Sequence, residues 1–180
     1  NVHLDGWLVR KTGGISRRVN SVNALVPGRT PLEERVAACE GLYRSWGMRS
    51  VFRITPLSEP ALEPLLLARG YVVEAPTLVM VADLVPRAVD PRVTLAERFE
   101  DAWPAASARL RGLPTDEASI LAAQHRLIAV PTIWASVRYG DIVMAVGAAA
   151  VEGGWVGLHG IYVGTDGRRQ GLARAVSVSL

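Results

Sequence analysis

The residues whose types and spacing could do chemistry stand in GIYVGTDGRRQGLARAV, residues 160–176. A β-branched and aromatic run passes through a small polar loop into two arginines, a glycine and an alanine-rich helix start. Glycine in a first helical turn costs about 0.5–1 kcal/mol against alanine, so a plain strand-to-helix connection gives no reason for it. A helix N-terminus presents free backbone N–H groups and a partial positive charge, which suits a pyrophosphate. Gly171 would let phosphate oxygens approach the backbone, and Ala173 is small for the same reason. Arg168 and Arg169 would add charge to the same anion.

Elements able to position such a loop surround it. TIWASVRY, IVMAVGAAAVE and WVGLHGIYV, joined by GD and GG turns, predict a three-strand antiparallel meander. Before it, VTLAERF predicts a strand, and EDAWPAASARLRG and TDEASILAAQHRLIAV predict two helices, the second opened by a Thr-Asp-Glu capping signal. VPRAVDPR carries two prolines and little periodicity, which places a domain boundary near residues 85–91. Upstream, DGWLVRK and SRRVNSVNAL predict a hairpin around the turn TGG. PLEERVAACEGLYRSWG and PALEPLLLARG predict helices on either side of a short strand, RSVFRIT, and GYVVEAPTLVMVADL predicts two strands around Pro76.

Bulk properties narrow the function classes. A length of 180 residues fits one ordinary domain or two small ones, and 49% hydrophobic with 21% charged residues excludes a disordered chain. No apolar run approaches the roughly 18 residues of a membrane span, and the opening NVHLDGWLVRK lacks the order of a signal peptide. With a single cysteine, Cys39, no internal disulfide can form; a reducing, cytoplasmic setting is expected. His3, His125 and His159 show no metal-ligand spacing. A net charge of +3 is mild for a nucleic-acid binder and suits an anionic small ligand.

R-R-Q-G-L-A at residues 168–173, just after Val163, resembles motif A of the GCN5-related N-acetyltransferases. The order strand, helix, helix, three strands, loop, helix over residues 92–180 is similar to that family's opening half. The resemblance implies a mixed α/β (α+β) fold, a mostly antiparallel sheet flanked by helices. It also implies acetyl-CoA as co-substrate, with its pantetheine arm on the backbone of Ile161, Tyr162 and Val163. Its pyrophosphate would lie against Arg168, Arg169, Gln170, Gly171, Leu172, Ala173 and Arg174. The sequence departs from the family at Thr165, where proline is common.

Residues 1–86 resemble the closing half of the same fold, with LLLARGY matching a helix end of the family, but they lack a pyrophosphate loop. The expected organisation is therefore tandem: a degenerate module over 1–86, and an acetyl-CoA-binding module over 87–180 whose closing segment is expected beyond the sequence given.

The resemblance implies direct attack of an amine, from a small molecule or a protein, on the acetyl thioester. A base must take the amine proton, and a strand N–H can meet the developing oxyanion. His159 is the base candidate; strand alternation puts it on the face of Ile161 and Val163. Read for structure alone, it is a packed or surface histidine. Glu152 falls in a solvated turn, Asp166 suits a helix cap, and Cys39 and the five tryptophans suit packing. Arg17 and Arg18 suit a charged sheet edge. Two other functions stay open: a non-catalytic acyl-CoA-binding regulatory module, separated by CoA release with an amine present, and a nucleic-acid binder, separated by steep salt dependence. No membrane partner is expected, and a homodimer is compatible with the sequence.

Overall fold

A computed structural model describes residues 1–12 and 16–180, and the chain divides into two units, Asn1–Val81 and Ala82–Leu180. The turn predicted at TGG includes Gly13 and Gly14, outside the described residues. No helix among the described residues is long and apolar enough to cross a membrane.

In the first unit, strands β1 (Val2–Leu4), β2 (Trp7–Val9), β3 (Val22–Ala24) and β4 (Phe52–Arg53) form one sheet in that order. The first two pairings are antiparallel; β3 and β4 run parallel, joined through helix α1 (Leu32–Ser45). Helix α2 (Leu62–Ala68) follows. The predicted single hairpin is corrected here. The first turn falls at Asp5-Gly6, with φ of 40° and 85°, the left-handed pair that a two-residue hairpin turn demands. Arg17–Val19 is a 3-10 turn instead of a strand. The Asn20 side chain accepts from the Thr12 N–H and donates to the Ser16 carbonyl, giving the chain local bonds in place of a ladder. Trp7, Val9, Val22, Val36, Cys39, Tyr43 and Leu62 form the core. Burial pushes the Cys39 thiol up to about 11, so it packs as an inert apolar group.

The two strands predicted around Pro76 do not form: no regular element spans residues 71–92. Val72, Leu78 and Met80 stay exposed. Strand-forming composition needs a ladder partner to become a strand, and among the described residues neither run has one.

In the second unit, β5 (Val93–Ala96), β6 (Thr132–Tyr139), β7 (Ile142–Glu152) and β8 (Trp155–Val163) form an antiparallel sheet in chain order. Helices α3 (Ala102–Arg111) and α4 (Thr115–Arg126) come between β5 and β6, and α5 (Leu172–Ser179) follows β8. Gly112, left-handed, ends α3. The expected cap on α4 is corrected: Pro114 holds the capping position without a side-chain bond, and Thr115 is already helical.

Each sheet face has its own core. Ala135, Val137 and Ala145 pack with Leu172, Ala175 and Val176 of α5, joined by Ile161 and Val163. Trp103 of α3 packs with Trp134, Val143, Val146 and Ala148, joined by Tyr162. Both units are thus mixed α/β, with mostly antiparallel sheets flanked by helices.

Candidate active site

The loop between β8 and α5 is built by short-range rules. Thr165–Gly167 form a 3-10 turn, with the Gly167 N–H donating to the Gly164 carbonyl at 3.0 Å. Asp166 supplies no side-chain cap there; its carbonyl accepts from Gln170 Nε2 at 2.9 Å. Arg169 has φ of 61° and Gly171 φ of 73°. Two left-handed residues so close together bend the chain into α5. Nothing lies within 4 Å of where a Cβ on Gly171 would stand, so the helix entrance is open.

The first bond into α5 runs from the Ala175 N–H to the Gly171 carbonyl at 2.9 Å. The amides of Gly171, Leu172, Ala173 and Arg174 precede that bond and form the donor end of the helix. Leu172 is itself core; Ala173 and Arg174 are exposed. Arg168, Arg169 and Arg174 have no acidic partner among the described residues, and all three are exposed. Gln170 differs. Its side chain donates to the Asp166 carbonyl and accepts from Tyr139 Oη at 3.4 Å, while its own carbonyl accepts from Arg92. Its side chain and its carbonyl thus brace the loop.

Arg92 was not foreseen as part of this site. Asp90 grips it through both carboxylate oxygens, at 2.9 and 2.8 Å, and that pairing holds the Asp90 carboxyl down at about 2. Only the fold joins residue 92 to residue 170, so no local pattern could have signalled it.

Strand β8 is the sheet edge, and its inner register is irregular. Val146 pairs with Tyr162 and Ala148 with His159, so Gly160 and Ile161 together oppose Gly147. Gly160 has φ of 58°, the left-handed glycine of a β-bulge. This corrects the face predicted for His159. The bulge inserts one residue, so His159 shares a face with Tyr162, on the Trp103 side, and opposes Ile161 and Val163, which pack toward α5. A glycine inside a strand was the available signal.

On its actual face His159 lines a chamber of about 50 Å³ with Trp103, His125, Trp134, Ala148 and Ala150. His125, on α4, also lines an adjoining cleft of about 460 Å³ with Glu97, Phe99, Arg126 and Trp134. The rings of His125 and Trp103 lie 5.1 Å apart. The His125 pKa is lowered from its ordinary value, first by burial and then by Arg111, against the opposing bond to the Leu121 carbonyl. The structure thus brings together two histidines that lie 34 positions apart in sequence. The basic loop belongs to the other end of β8.

The comparisons with known proteins agree with this architecture. A GCN5-related N-acetyltransferase from Kribbella flavida matches with a TM-score of 0.65 and 19% sequence identity, over 98% of this chain and 71% of that one. At that identity the likeness speaks for the fold. No curated protein sequence matches. The family described as "Probable histone acetyltransferase Rv0428c C-terminal" matches residues 1–180, the whole chain. Matched from end to end by that family, the chain belongs to it, and it shares the fold of a GCN5-related N-acetyltransferase.

Proposed function

We propose that the protein transfers an acetyl group from acetyl-CoA to a primary amine by direct attack. The observation that carries this reading is the continuity between two features. Among the described residues the outer edge of β8 has no strand partner, and it leads into the open, arginine-flanked end of α5. An extended pantetheine arm can add to such an edge through backbone bonds at Ile161, Tyr162 and Val163. The pyrophosphate would then meet the amides of Gly171–Arg174 and the cations of Arg168, Arg169 and Arg174.

Residues 87–180 would carry this cofactor site, with residues 1–86 as a degenerate module of the same origin. His159 faces the chamber below the strand edge and would meet the amine proton there. A strand N–H, from Ile161 or Val163, would stabilise the oxyanion of the tetrahedral intermediate. That the family is described as a probable histone acetyltransferase makes a histone lysine the first acceptor to test.

The experiment is acetyl-CoA turnover with a histone-tail lysine peptide and with small amines, read as free thiol released. Amine-dependent thiol release supports the reading. Acetyl-CoA binding without release, whatever the amine, would reduce the protein to an acyl-CoA-binding module.

A further inference from the structure

An anion site made of backbone amides works only while those amides are aimed. At the entrance of α5 the first of them belongs to the peptide between Gln170 and Gly171. Arg169 and Gly171 both have a left-handed backbone, and the Gln170 carbonyl lies before the helical ladder, whose first acceptor is the Gly171 carbonyl. One group from outside the loop holds this peptide: Arg92 Nη1 donates to the Gln170 carbonyl oxygen at 3.2 Å. Building on the acetyltransferase reading, we propose that Arg92 is a positioning residue of the pyrophosphate loop. By holding the Gln170 carbonyl, it turns the Gly171 N–H toward the phosphate.

A peptide group is planar and trans, so its N–H and C=O point in opposite directions. A donor fixed on the Gln170 oxygen therefore fixes the direction of the Gly171 N–H. The bond also polarises the peptide, which makes its N–H a stronger donor. Tyr139 Oη and the Asp166 carbonyl hold the side chain of Gln170; the carbonyl is held by Arg92.

Arg92 is itself set in place. The Asp90 carboxylate accepts from its backbone N–H at 3.0 Å, its Nε at 2.9 Å and its Nη2 at 2.8 Å. The guanidinium is thus ordered before any ligand arrives, and little side-chain entropy remains to be lost. The turn that carries it is tied to α5. The Asp90 N–H donates to Ser179 Oγ at 3.0 Å, and Val93 packs with Leu172, Ala175 and Val176. Residues 90–93 therefore hold α5 from its open end to its last residue. The Asp90 pairing also neutralises Arg92, so Arg92 adds little net charge toward an anion. Its contribution is direction, and the charge comes from Arg168, Arg169 and Arg174.

The test measures Kd for acetyl-CoA and for S-acetylpantetheine, which shares the arm and lacks the pyrophosphate. The proteins are wild type, Arg92→Ala, Asp90→Asn and Arg168→Ala, each titrated at two salt concentrations beside a melting curve. Arg92→Ala should weaken acetyl-CoA about tenfold, as when one bond to a charged group is lost, and S-acetylpantetheine by less than about twofold. Its salt dependence should match wild type, whereas that of Arg168→Ala should be shallower. Asp90→Asn separates direction from charge by sign. It removes a negative charge beside the loop, so a direct charge effect would tighten acetyl-CoA. A loosened Arg92 weakens it, which is the expected result.

Tighter acetyl-CoA binding in Asp90→Asn, or a shallower salt dependence in Arg92→Ala, would overturn the positioning role. So would unchanged acetyl-CoA affinity in both variants, or equal losses for the two ligands, which mark a general loss of structure. Asp90→Asn keeps a side-chain acceptor for the Arg92 N–H and decides the question by itself if Arg92→Ala does not fold. Wild-type protein that binds acetyl-CoA no better than S-acetylpantetheine, or binds neither, would overturn the cofactor site itself, and that outcome is visible without any variant.

Discussion

Gly147 on β7 lies directly beneath Val176 on α5. A methyl group at Gly147 would overlap Val176 Cγ1 and reach 3.2 Å from Ile161 Cγ1 and Leu180 Cδ1. This missing side chain lets α5 sit close on the sheet, and the seat of α5 sets where its open end points. Gly147→Ala should therefore lift the helix. Overpacking of this kind costs about 1–3 kcal/mol, a fall of several degrees in melting temperature for a unit of this size. Acetyl-CoA affinity should fall as well. Thermal denaturation with and without acetyl-CoA checks both, and an unchanged melting temperature would show that α5 has slack the packing does not suggest.

The bulge at Gly160 turns His159 toward Trp103. A Cβ on Gly160 would stand 3.3 Å from Trp103 Cη2, and the left-handed backbone costs a residue with a side chain about 1–2 kcal/mol. Gly160→Val should therefore lower stability by about that much and reduce amine acetylation more than it reduces acetyl-CoA binding. Steady-state kinetics beside an acetyl-CoA titration separate the two effects. Equal losses in both would mean that the bulge shapes the cofactor edge and not the histidine.

The order of elements in the second unit was legible because each one announces itself locally. β6 follows TIWASVRY residue for residue, and Gly112 ends α3. R-R-Q-G-L-A was legible for the same reason, since a helix end with small residues and arginines is a local pattern. Three things were not. The face of His159 depends on one inserted residue that reverses strand alternation. His125 joins the site only through packing of α4 near β8, and Arg92 only through a bond 78 residues away in sequence. The strands around Pro76 failed in the other direction: their composition favours strand, yet pairing is decided by partners that composition does not reveal.

Arg169 combines an exposed charge with a left-handed backbone. Arg169→Gly removes both, and so separates them. The melting temperature should hold or rise, because strain of about 1 kcal/mol is relieved. Acetyl-CoA affinity should fall about tenfold, in line with loss of one charge-assisted bond. Arg168→Ala, whose φ is −69°, should weaken affinity similarly with no gain in stability. Titrations at two salt concentrations check the assignment: both variants should show a shallower salt dependence than wild type. Unchanged affinity in the two variants would remove the arginines from the phosphate site.

Asp5 gives the first unit a pH dependence of its own. One carboxylate oxygen accepts from the Thr30 hydroxyl at 2.6 Å, the Thr30 N–H at 2.8 Å and the Arg29 N–H at 2.7 Å. These bonds, led by the Thr30 hydroxyl, hold the carboxyl at about 2, below its ordinary 3.8. The folded form therefore binds the proton more weakly than the unfolded chain does. The contribution to stability is full above pH 3.8 and is lost as pH falls toward 2. Asp5→Asn should lower the melting temperature by a constant amount above about pH 4, with the gap to wild type closing between pH 4 and 2. Denaturation curves from pH 6 to 2 for the two proteins decide it. A gap that persists at pH 2 would assign the effect to the shape of the Asp5-Gly6 turn and not to the charge.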